Sequence, residues 1–545
     1  MTVMTGARAL VQGLKANAID TVFGLPGVQL DYIFDALYGE RNSIRVIESR
    51  HEQGAAYMAY GYAESTGKLG TYLVVPGPGL LNTATALCTA HASNAPMLAL
   101  TGQIPTRYMG RGLGILHEIP SPELTLSQVT KYQSLSCHAS VVPDALNRCI
   151  EQAMSGRRGP VLFQIPQDST MERGDVGAIE RARTLPEPVP DPDLIEAAAK
   201  LLGAAKHPAI LAGGGVYGAE EPLLALASML QAPVIMTRHG RGAVSDRHYL
   251  AQTLMGGHVL WPEVDVVLAV GTRFLEAEWG LDERIRTIRL DVDALQAERP
   301  VHPDVKLIGN AAACLTALAN RVGAHNRVRE SREDELRGVK AACDEKLASQ
   351  LAPQKAFSDA VRAALPDDGI VVADITQVGF FTWVGFPAYR PRSLIYPGFQ
   401  DSLGYGYATA LGVTVANPGK PVVALCGDGG FMFTMPEMAT AVNHNIPLVA
   451  VVFNDRGFGN VRRAQQTIFG GRTIASDLHN PDFVKLAEAF GMRGQRVADA
   501  KALHGALREA IAAGGPALIE VPVGAMPSWQ TVMPRGRARA KTAIA

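Results

Sequence analysis

The stretch PVVALCGDGGFMFTMPEMATAVNHNIPLVAVVFNDRGFGN, residues 421–460, decides how the chain folds. Apolar runs of strand length occupy positions 422–425 and 447–453, and a segment with a helical pattern at 435–443 joins them. A strand, a helix and a second strand in this order form a unit with parallel strands. Each strand ends in a glycine-containing turn, and ligands collect at the carboxyl ends of such strands. We therefore expect the two turns to meet at one site.

The two turns, at residues 427–430 and 454–457, carry groups that can hold a metal and a diphosphate. Asp428 and Asp455 supply the oxygen ligands that Mg²⁺ prefers. Glycines let a bare backbone approach a ligand closely, and its N–H groups can hold phosphate oxygens. An ordinary Gly-Asp turn would explain either turn alone, but the pair favours a metal and diphosphate site. Its glycines are Gly427, Gly429, Gly430, Gly457 and Gly459.

The Gly-Asp-Gly triplet centred on Asp428, followed after one helix and one strand by Asn454-Asp455, resembles the cofactor motif of the thiamine diphosphate (ThDP) enzymes. This resemblance implies that the chain binds ThDP and Mg²⁺. It also implies that the metal ligands are Asp428, Asp455 and the backbone carbonyl of Gly457. The family usually has Asn where this chain has Asp455, so Asn454 stays the alternative ligand.

The pattern of strand, glycine turn and helix recurs along the whole chain. Strands are predicted at 21–23, 45–47, 71–75 and 97–101, at 208–212, 233–236 and 266–270, and at 370–373. Repeated units of this kind predict an α/β fold with doubly wound parallel sheets. Because 545 residues are too many for one core, we expect three such domains.

The domain boundaries follow from changes in composition. A proline-rich polar passage, ARTLPEPVPDPDLI, is typical of an extended linker, and a charged stretch near position 340 is typical of a solvated connector helix. We predict an N-terminal domain at 1–181, a linker at 182–195, a central Rossmann-like domain at 196–330, a connector helix at 331–352 and a C-terminal domain with a tail at 353–545. The resemblance to ThDP enzymes implies that the N-terminal domain binds the pyrimidine and that the C-terminal domain binds the diphosphate and Mg²⁺.

The bulk composition points to small-molecule partners in the cytoplasm. Charged residues make up 19% of the chain and the net charge is −1, which does not suit binding to nucleic acid or to an acidic membrane surface. Six scattered cysteines without a CxxC pair argue against disulfides and a zinc site. No signal peptide is recognisable, and no apolar run approaches the roughly 18 residues of a membrane helix. We therefore expect a cytoplasmic enzyme.

The segment HEQGAAYMAYGYAESTGKLGTYLVVPGPGLLNTATAL resembles the pyrimidine-binding domain of ThDP enzymes. The resemblance implies that Glu52 contacts the aminopyrimidine ring, where a carboxyl group helps ThDP to lose its thiazolium proton. It also implies that a partner subunit holds the diphosphate, so the protein should be a homodimer or homotetramer. The alternative is that Glu52 only stabilises a helix N-terminus.

The same resemblance implies further cofactor contacts in both terminal domains. Leu403, in FQDSLGYGYATALG, corresponds to the bulky residue that wedges the cofactor into a bent shape, although ordinary core packing would also explain it. The predicted cofactor-binding residues, besides those that bind the metal and Glu52, are Pro76, Asn82, Gln377, Val378, Asp401, Leu403, Gly427, Gly429, Gly430, Phe458 and Gly459.

His117 and Gln29 are further candidates for the catalytic site. The segment GRGLGILHEIPSPELTLSQVTKYQSL predicts a glycine-rich loop followed by a helix. In acetolactate-synthase-like members of the family this loop carries a Phe-Gln-Glu triplet, and the matching triplet here is Leu116-His117-Glu118. His117 could donate to a substrate oxyanion or shuttle a proton, or it could be an ordinary solvated histidine. Gln29, in the first glycine turn, is a weaker candidate, because a glutamine at the start of a helix is most often solvated.

The central domain leaves the presence of FAD open. Acetolactate synthases carry FAD beside turns that resemble residues 213–215 and 271–273 of this chain. The three consecutive glycines do not form GxGxxG, however, and Leu275-Glu276 stand where the family usually has paired aspartates. A central domain with a purely structural role is the alternative.

The function that these motifs predict is that of a ThDP- and Mg²⁺-dependent lyase or carboligase, acetolactate-synthase-like, that breaks or forms a carbon–carbon bond in a small 2-oxo acid or 2-hydroxy ketone. A 2-oxo acid decarboxylase and a diketone carbon–carbon hydrolase, similar to cyclohexane-1,2-dione hydrolase, are the alternatives within the family. An FAD or nicotinamide oxidoreductase, or a noncatalytic scaffold, would be a different class of protein.

Overall fold

The structure is a computed structural model that describes residues 2–273, 284–299 and 302–533. It contains three six-stranded sheets, in which every strand pair is parallel, with helices packed against them. The predicted α/β fold with three doubly wound parallel sheets is therefore confirmed. The pair Leu275-Glu276, and the end of the chain from residue 534, lie outside the described residues.

The N-terminal sheet has the strand order β3-β2-β4-β5-β7-β6, and β1 pairs with β8 in a separate antiparallel ribbon. The strands are β1 (Thr2–Thr5), β2 (Thr21–Gly24), β3 (Arg45–Glu48), β4 (Gly70–Val74), β5 (Met97–Gln103), β6 (Tyr132–Leu135), β7 (Val161–Pro166) and β8 (Arg173–Val176). The α-helices are Gly6–Ala16, Asp31–Gly39, Glu52–Thr66, Pro78–Asn82, Ala84–Ser93, Pro122–Leu126, Val142–Met154 and Gln167–Met171.

The central sheet has the order β11-β10-β9-β12-β13-β14, which reverses its direction between β9 and β12 as in dinucleotide-binding folds. Its strands are β9 (Pro208–Ala212), β10 (Val234–Met236), β11 (Ala251–Gln252), β12 (Val266–Val270), β13 (Arg286–Asp291) and β14 (Val305–Ile308). The α-helices are Pro192–Ala204, Glu220–Leu230, Leu254–Leu260, Ala294–Ala297 and Ala311–Val322, and the connector helix is Glu333–Gln350.

The C-terminal sheet repeats the topology of the N-terminal sheet, with the order β16-β15-β17-β18-β20-β19. Its strands are β15 (Ile370–Ala373), β16 (Leu394–Ile395), β17 (Val422–Gly427), β18 (Leu448–Asn454), β19 (Arg493–Arg496) and β20 (Ala517–Pro522). The α-helices are Ala352–Ala364, Gln377–Gly385, Tyr405–Ala416, Asp428–Thr434, Met438–Asn443, Gly459–Ile468, Phe483–Ala489 and Ala500–Ala513.

The terminal domains meet along the helices Glu52–Thr66 and Tyr405–Ala416, which form one buried core. The backbones touch at glycines: a Cβ atom on Gly61 would collide with the carbonyl oxygen of Thr409. Glycine therefore permits an approach that any side chain would prevent. Because the first helix begins at Glu52, this contact fixes the position of a predicted site residue.

Three local predictions differ from the structure. The predicted turn at 427–430 is wrong, because residues 428–430 form the first turn of the helix Asp428–Thr434, where a carboxylate is stabilised by the helix N-terminus. The helix expected after the glycine-rich loop is present but short: it spans Pro122–Leu126, and β6 then pairs with β7 along the sheet edge. The helix Pro192–Ala204 begins inside the predicted linker. The domain boundaries themselves stay predictions.

Candidate active site

A cavity of about 340 Å³ opens at the carboxyl ends of β15, β17 and β18, where the order of the C-terminal sheet reverses. Parallel sheets bind ligands at such a point. The structure brings together at this cavity every C-terminal residue for which the sequence predicts a cofactor or metal contact. These are Gln377, Val378, Asp401, Leu403, Gly427, Asp428, Gly429, Gly430, Asp455, Gly457, Phe458 and Gly459.

Two carboxylates converge in this cavity. Asp428 is buried, and its Oδ2 accepts hydrogen bonds from the backbone N–H of Gly457 (3.2 Å) and from the side chain of Asn480 (2.6 Å). Burial, and after it the neighbouring Asp428 carboxylate, raises the pKa of Asp455 to about 6. Arg462, at 3.3 Å, only partly offsets this effect. A pair of carboxyl groups that repel each other in a buried place suits a divalent cation.

Asp455, and not its neighbour Asn454, lines the cavity. The side chain of Asn454 turns away from it: its Oδ1 accepts from Asn480 (2.9 Å) and its Nδ2 donates to Glu520 (2.8 Å). Both ends of that amide already have partners inside the protein. The geometry therefore favours Asp455 over Asn454 as the second metal ligand.

The site offers few ligands of its own, as a metal that also binds phosphate requires. Within residues 2–273, 284–299 and 302–533 there is no group of three or more His, Cys, Asp and Glu side chains that could hold a metal ion. Mg²⁺ is usually held by one or two carboxylates together with phosphate oxygens. The glycines fit the same role: a Cβ atom on Gly429 would lie 2.7 Å from the ring of Phe458. This donor set fits Mg²⁺ with a diphosphate.

Asp374 is a buried carboxyl group beside the cavity that the sequence reasoning did not select. Its Oδ1 accepts from the backbone N–H of Ile375 (2.8 Å), while its Oδ2 has no partner among the described residues. Burial raises the pKa of Asp374 to about 7. Its position directly after the apolar strand β15 is the signal that could have identified it.

Glu52 and Asn82 come together at the carboxyl edge of the N-terminal sheet. The amide of Asn82 donates to Oε2 of Glu52 (2.9 Å). A Cβ atom on Gly79 would lie 3.3 Å from Oε1 of Glu52, so the glycine keeps space beside this carboxylate. Pro76 is buried at the start of the same turn. The structure thus gathers these predicted residues into one cluster.

His117 and Gln29 form a direct contact in the same domain. Nδ1 of His117 lies 2.8 Å from Oε1 of Gln29, and Nε2 of Gln29 donates to the carbonyl of Leu116 (3.1 Å). Gln29 is buried rather than solvated, with 4% of its surface exposed. The backbone carbonyl of His117 packs on Gly77, beside Pro76, since a Cβ atom on Gly77 would lie 2.5 Å from it. The pair therefore adjoins the turn that carries Asn82.

The predicted site is divided into two halves within one chain. The N-terminal residues Gln29, Glu52, Pro76, Asn82 and His117 form one half, and the cavity at β15, β17 and β18 forms the other. All described residues that line that cavity come from positions 375–526. A single chain therefore does not join its own two halves through this cavity.

A second cavity, of about 270 Å³, is lined by residues of the N-terminal and central domains and by Arg392 and Phe399 of the C-terminal domain. The turns at 213–215 and 271–273 line it, at the point where the central sheet reverses. Glu64 and His239 approach within 3.9 Å of each other in its wall. Burial raises the pKa of Glu64 to about 7 and lowers the pKa of His239 to about 4. Around pH 6 both groups are therefore mostly uncharged.

Sequence reasoning missed three polar residues that support the first cavity. Asn480 bridges Asp428 and Asn454, Arg462 pairs with Asp455, and Arg463 donates to Gln377 (3.0 Å). The only signal available was the run of two arginines that begins seven residues after Asp455. Asn480 comes from a loop with no recognisable motif.

Three family models match the chain. They are described as thiamine pyrophosphate enzyme, N-terminal TPP binding domain (residues 4–127), central domain (195–318) and C-terminal TPP binding domain (374–521). Together they cover most of the sequence.

Several curated proteins are similar to the chain over nearly their whole length. A probable acetolactate synthase large subunit of Methanococcus aeolicus is 31% identical over 97% of this chain and 94% of its own. A probable 2-ketoarginine decarboxylase of Pseudomonas aeruginosa is 32% identical over 95% and 94%. The acetolactate synthase isozyme 2 large subunit of Escherichia coli K12 is 30% identical over 98% of both chains. In the part of the chain that the structure describes, no helix has the length and hydropathy needed to cross a membrane.

Proposed function

The chain belongs to the thiamine pyrophosphate enzyme family as an acetolactate-synthase-like, ThDP-dependent enzyme, and on that premise we propose that it acts with Mg²⁺ on a small 2-oxo acid. The reaction breaks or forms the carbon–carbon bond next to the keto group. The observation that carries the proposal is the single cavity in which Asp428, Asp455 and the predicted C-terminal cofactor residues converge.

The C-terminal half would hold the charged end of the cofactor. Asp428, Asp455 and the backbone carbonyl of Gly457 would bind Mg²⁺, and the backbone around Gly429 and Gly430 would hold the diphosphate. When bound, ThDP supplies the electron sink for cleavage of a bond next to a carbonyl group. The protein contributes position, exclusion of water and charge.

The N-terminal half would hold a proton at Glu52. The Asn82 amide donates to one carboxylate oxygen and thereby fixes the orientation of the group. The other oxygen can then share a proton with the pyrimidine ring. Because the two halves do not meet within one chain, we infer a homodimer or homotetramer in which Glu52 of one subunit faces the cavity of another.

Arg463 supports an acidic substrate. Its guanidinium donates to Gln377 (3.0 Å), to Asn460 and to the carbonyl of Met526 (3.4 Å), and all three residues line the cavity. None of these hydrogen-bond partners is a carboxylate, so they do not neutralise its charge. A half-buried cation of this kind favours the carboxylate of a 2-oxo acid over a neutral diketone.

The names of the relatives suggest two different reactions within one family. Some are named for the synthesis of acetolactate and one for the decarboxylation of 2-ketoarginine. His117, which replaces the usual Gln of the acetolactate synthases, favours a step in which a proton is moved and so keeps the decarboxylase, or a diketone hydrolase, as the alternative.

The test supplies the purified protein with ThDP and Mg²⁺, adds a panel of substrates and identifies the products. Pyruvate, 2-ketoarginine and cyclohexane-1,2-dione test for acetolactate synthesis, decarboxylation and diketone hydrolysis. Acetolactate from pyruvate indicates a carboligase, an aldehyde with CO₂ indicates a decarboxylase, and a ring-opened acid indicates a hydrolase. Failure to bind ThDP would contradict the proposal.

A second proposed ligand is FAD in the cavity of the central domain. The support is the position of this cavity at the reversal of the sheet, with glycine turns at 213–215 and beside Arg273. An absorption spectrum of the purified protein tests this, since bound flavin absorbs near 450 nm whereas an empty or purely structural domain does not. Reduction of the flavin by substrate would support the oxidoreductase alternative. A cytoplasmic location also stays a prediction.

A further inference from the structure

The geometry points to Gln29 as the positioning residue that fixes the tautomer of His117, so that Nε2 of His117 is the atom that takes up and releases a proton. The inference rests on the proposed function, because it assigns a role within the same active site. It concerns the N-terminal half of that site, where the two side chains are in contact.

The orientation of the Gln29 amide follows from its two neighbours. The carbonyl oxygen of Leu116, 3.1 Å away, can only accept a hydrogen bond, so the amide nitrogen must face it. The reversed amide would place two oxygens against each other in a buried place. Oε1 of Gln29 therefore faces Nδ1 of His117 at 2.8 Å. An amide oxygen can only accept, so Nδ1 carries a hydrogen in both charge states of the ring.

The surroundings hold both partners in this arrangement. His117 has a φ of +69°, a conformation that is uncommon for a non-glycine residue and persists only where neighbours enforce it. The carboxylate of Glu118 accepts from the backbone N–H groups of Gly112 (3.2 Å) and Ile115 (3.0 Å), which closes the loop. On the other side, a Cβ atom on Gly102 would lie 2.9 Å from Cβ of Gln29. These contacts hold Gln29 and His117 in a fixed relative arrangement.

The fixed tautomer determines which atom of His117 can exchange a proton. With Nδ1 protonated, the neutral imidazole presents a lone pair at Nε2 and can accept a proton there, while the charged ring can donate from Nε2. The neutral side chain of Gln29 contacts the ring, the turn at Gly77 packs on the backbone of His117, and the charged groups of the same loop are Arg111 and Glu118. Gln29 is therefore the residue that decides which ring nitrogen of His117 carries the hydrogen.

The experiment compares the wild type with Gln29→Glu and Gln29→Met. Diethyl pyrocarbonate modifies neutral histidine nitrogens, and peptide mass spectrometry follows His117 alone, so the pH profile of its modification needs no substrate. A carboxylate next to Nδ1–H stabilises the charged ring, and we expect Gln29→Glu to raise the midpoint of this profile by about one pH unit or more. We expect Gln29→Met to lower kcat about tenfold with little change in KM.

The matched control is Gln167→Met, because Gln167 donates to the carbonyl of Val28 in the same turn without contacting His117. It should leave the profile and kcat unchanged. An unchanged modification profile in folded Gln29→Glu protein would overturn the inference even if the protein is an active enzyme. A raised midpoint in a protein that converts none of the substrates would uphold the inference and contradict only the proposed function.

Discussion

Asp428 and Asp455 stand at the ends of two adjacent parallel strands, β17 and β18, and their carboxyl groups contact each other inside one cavity. Residues 27 positions apart in the chain thus become neighbours through the alignment of the two strands. The buried pair needs a positive charge between or beside its members. This relationship underlies the first prediction.

Removal of the Asp428 carboxylate should strongly weaken the binding of ThDP and Mg²⁺. We expect Asp428→Ala to weaken the joint binding of ThDP and Mg²⁺ by roughly 100-fold or more, because even residues behind the metal ligands change affinity by 10- to 100-fold. Titration calorimetry measures this directly. Asp477→Ala is the control, since Asp477 is exposed and pairs with Arg462 outside the cavity. Equal affinity in the Asp428 variant would remove this residue from the metal site.

Replacement of Glu52 by Gln should separate catalysis from binding. The variant keeps the shape and the contact with Asn82 but cannot hold an exchangeable carboxyl proton, so we expect kcat to fall by about 10²- to 10⁴-fold with cofactor affinity nearly unchanged. Asp31→Asn, at an equivalent first helical turn on the surface of the same domain, is the control. Activity equal to that of the wild type would leave Glu52 with the helix-stabilising role alone.

Two inactive variants should restore activity when they assemble together. Mixed dimers of Glu52→Gln and Asp428→Ala contain one fully wild-type site and one doubly altered site if each site joins two subunits. Random mixing should then recover about a quarter of wild-type activity. Each variant refolded alone is the control. No recovery in mixtures that mass spectrometry shows to be mixed dimers would place both residues of one site in one chain.

Arg463 should govern recognition of the substrate carboxylate. We expect Arg463→Met to raise KM for the active 2-oxo acid by about tenfold or more, since a charge-assisted hydrogen bond contributes roughly 1.5–3 kcal/mol. The affinity for ThDP should stay unchanged. Arg472→Met, an exposed arginine just beyond the same helix, is the control. A loss of ThDP affinity with an unaltered KM would instead assign Arg463 to the diphosphate.

The stability of the protein should depend on pH through Glu64. Burial raises its pKa to about 7 from an ordinary value near 4.5, so the unfolded state releases this proton first and stability falls as pH rises between these values. The full difference is on the order of 3 kcal/mol. We expect the thermal midpoint of Glu64→Gln, relative to wild type, to be higher at pH 8 than at pH 5.

Glu187→Gln provides the comparison, because Glu187 is an exposed carboxylate at the same cavity. The thermal midpoint of Glu187→Gln should equal that of the wild type at both pH 5 and pH 8. If the thermal midpoint of Glu64→Gln also equals that of the wild type at both pH values, the prediction is contradicted, and the Glu64 carboxyl group is ionised in the folded protein at neutral pH.

The meeting of the C-terminal candidate residues in one cavity could be predicted because most of them follow directly after apolar strands. Parallel strands place such residues at one edge, and Asp428 and Asp455 needed no further information to be paired. Asn480 could not be predicted, since it comes from a loop without a motif. Arg463 follows the Asn454-Asp455 pair closely, but only the folded helix Gly459–Ile468 shows that its side chain reaches Gln377. The burial of Gln29 was missed for a similar reason: its partner, His117, lies 88 positions away.

The error at residues 428–430 has a different cause. Two glycines after an aspartate are typical of a turn, but the chain continues into a helix there because Asp428 stabilises the first turn and the neighbouring elements pack around the glycines. Tertiary packing outweighed local preference in that segment.

The glycine contacts between the helices that begin at Glu52 and Tyr405 leave no room for either helix to slide or tilt against the other. The two end domains of one chain therefore form one packed unit, and larger side chains along the helix pair would disrupt it. Residues Val523, Gly524 and Met526, which line the cavity without taking part in that packing, are the positions at which its wall can be reshaped.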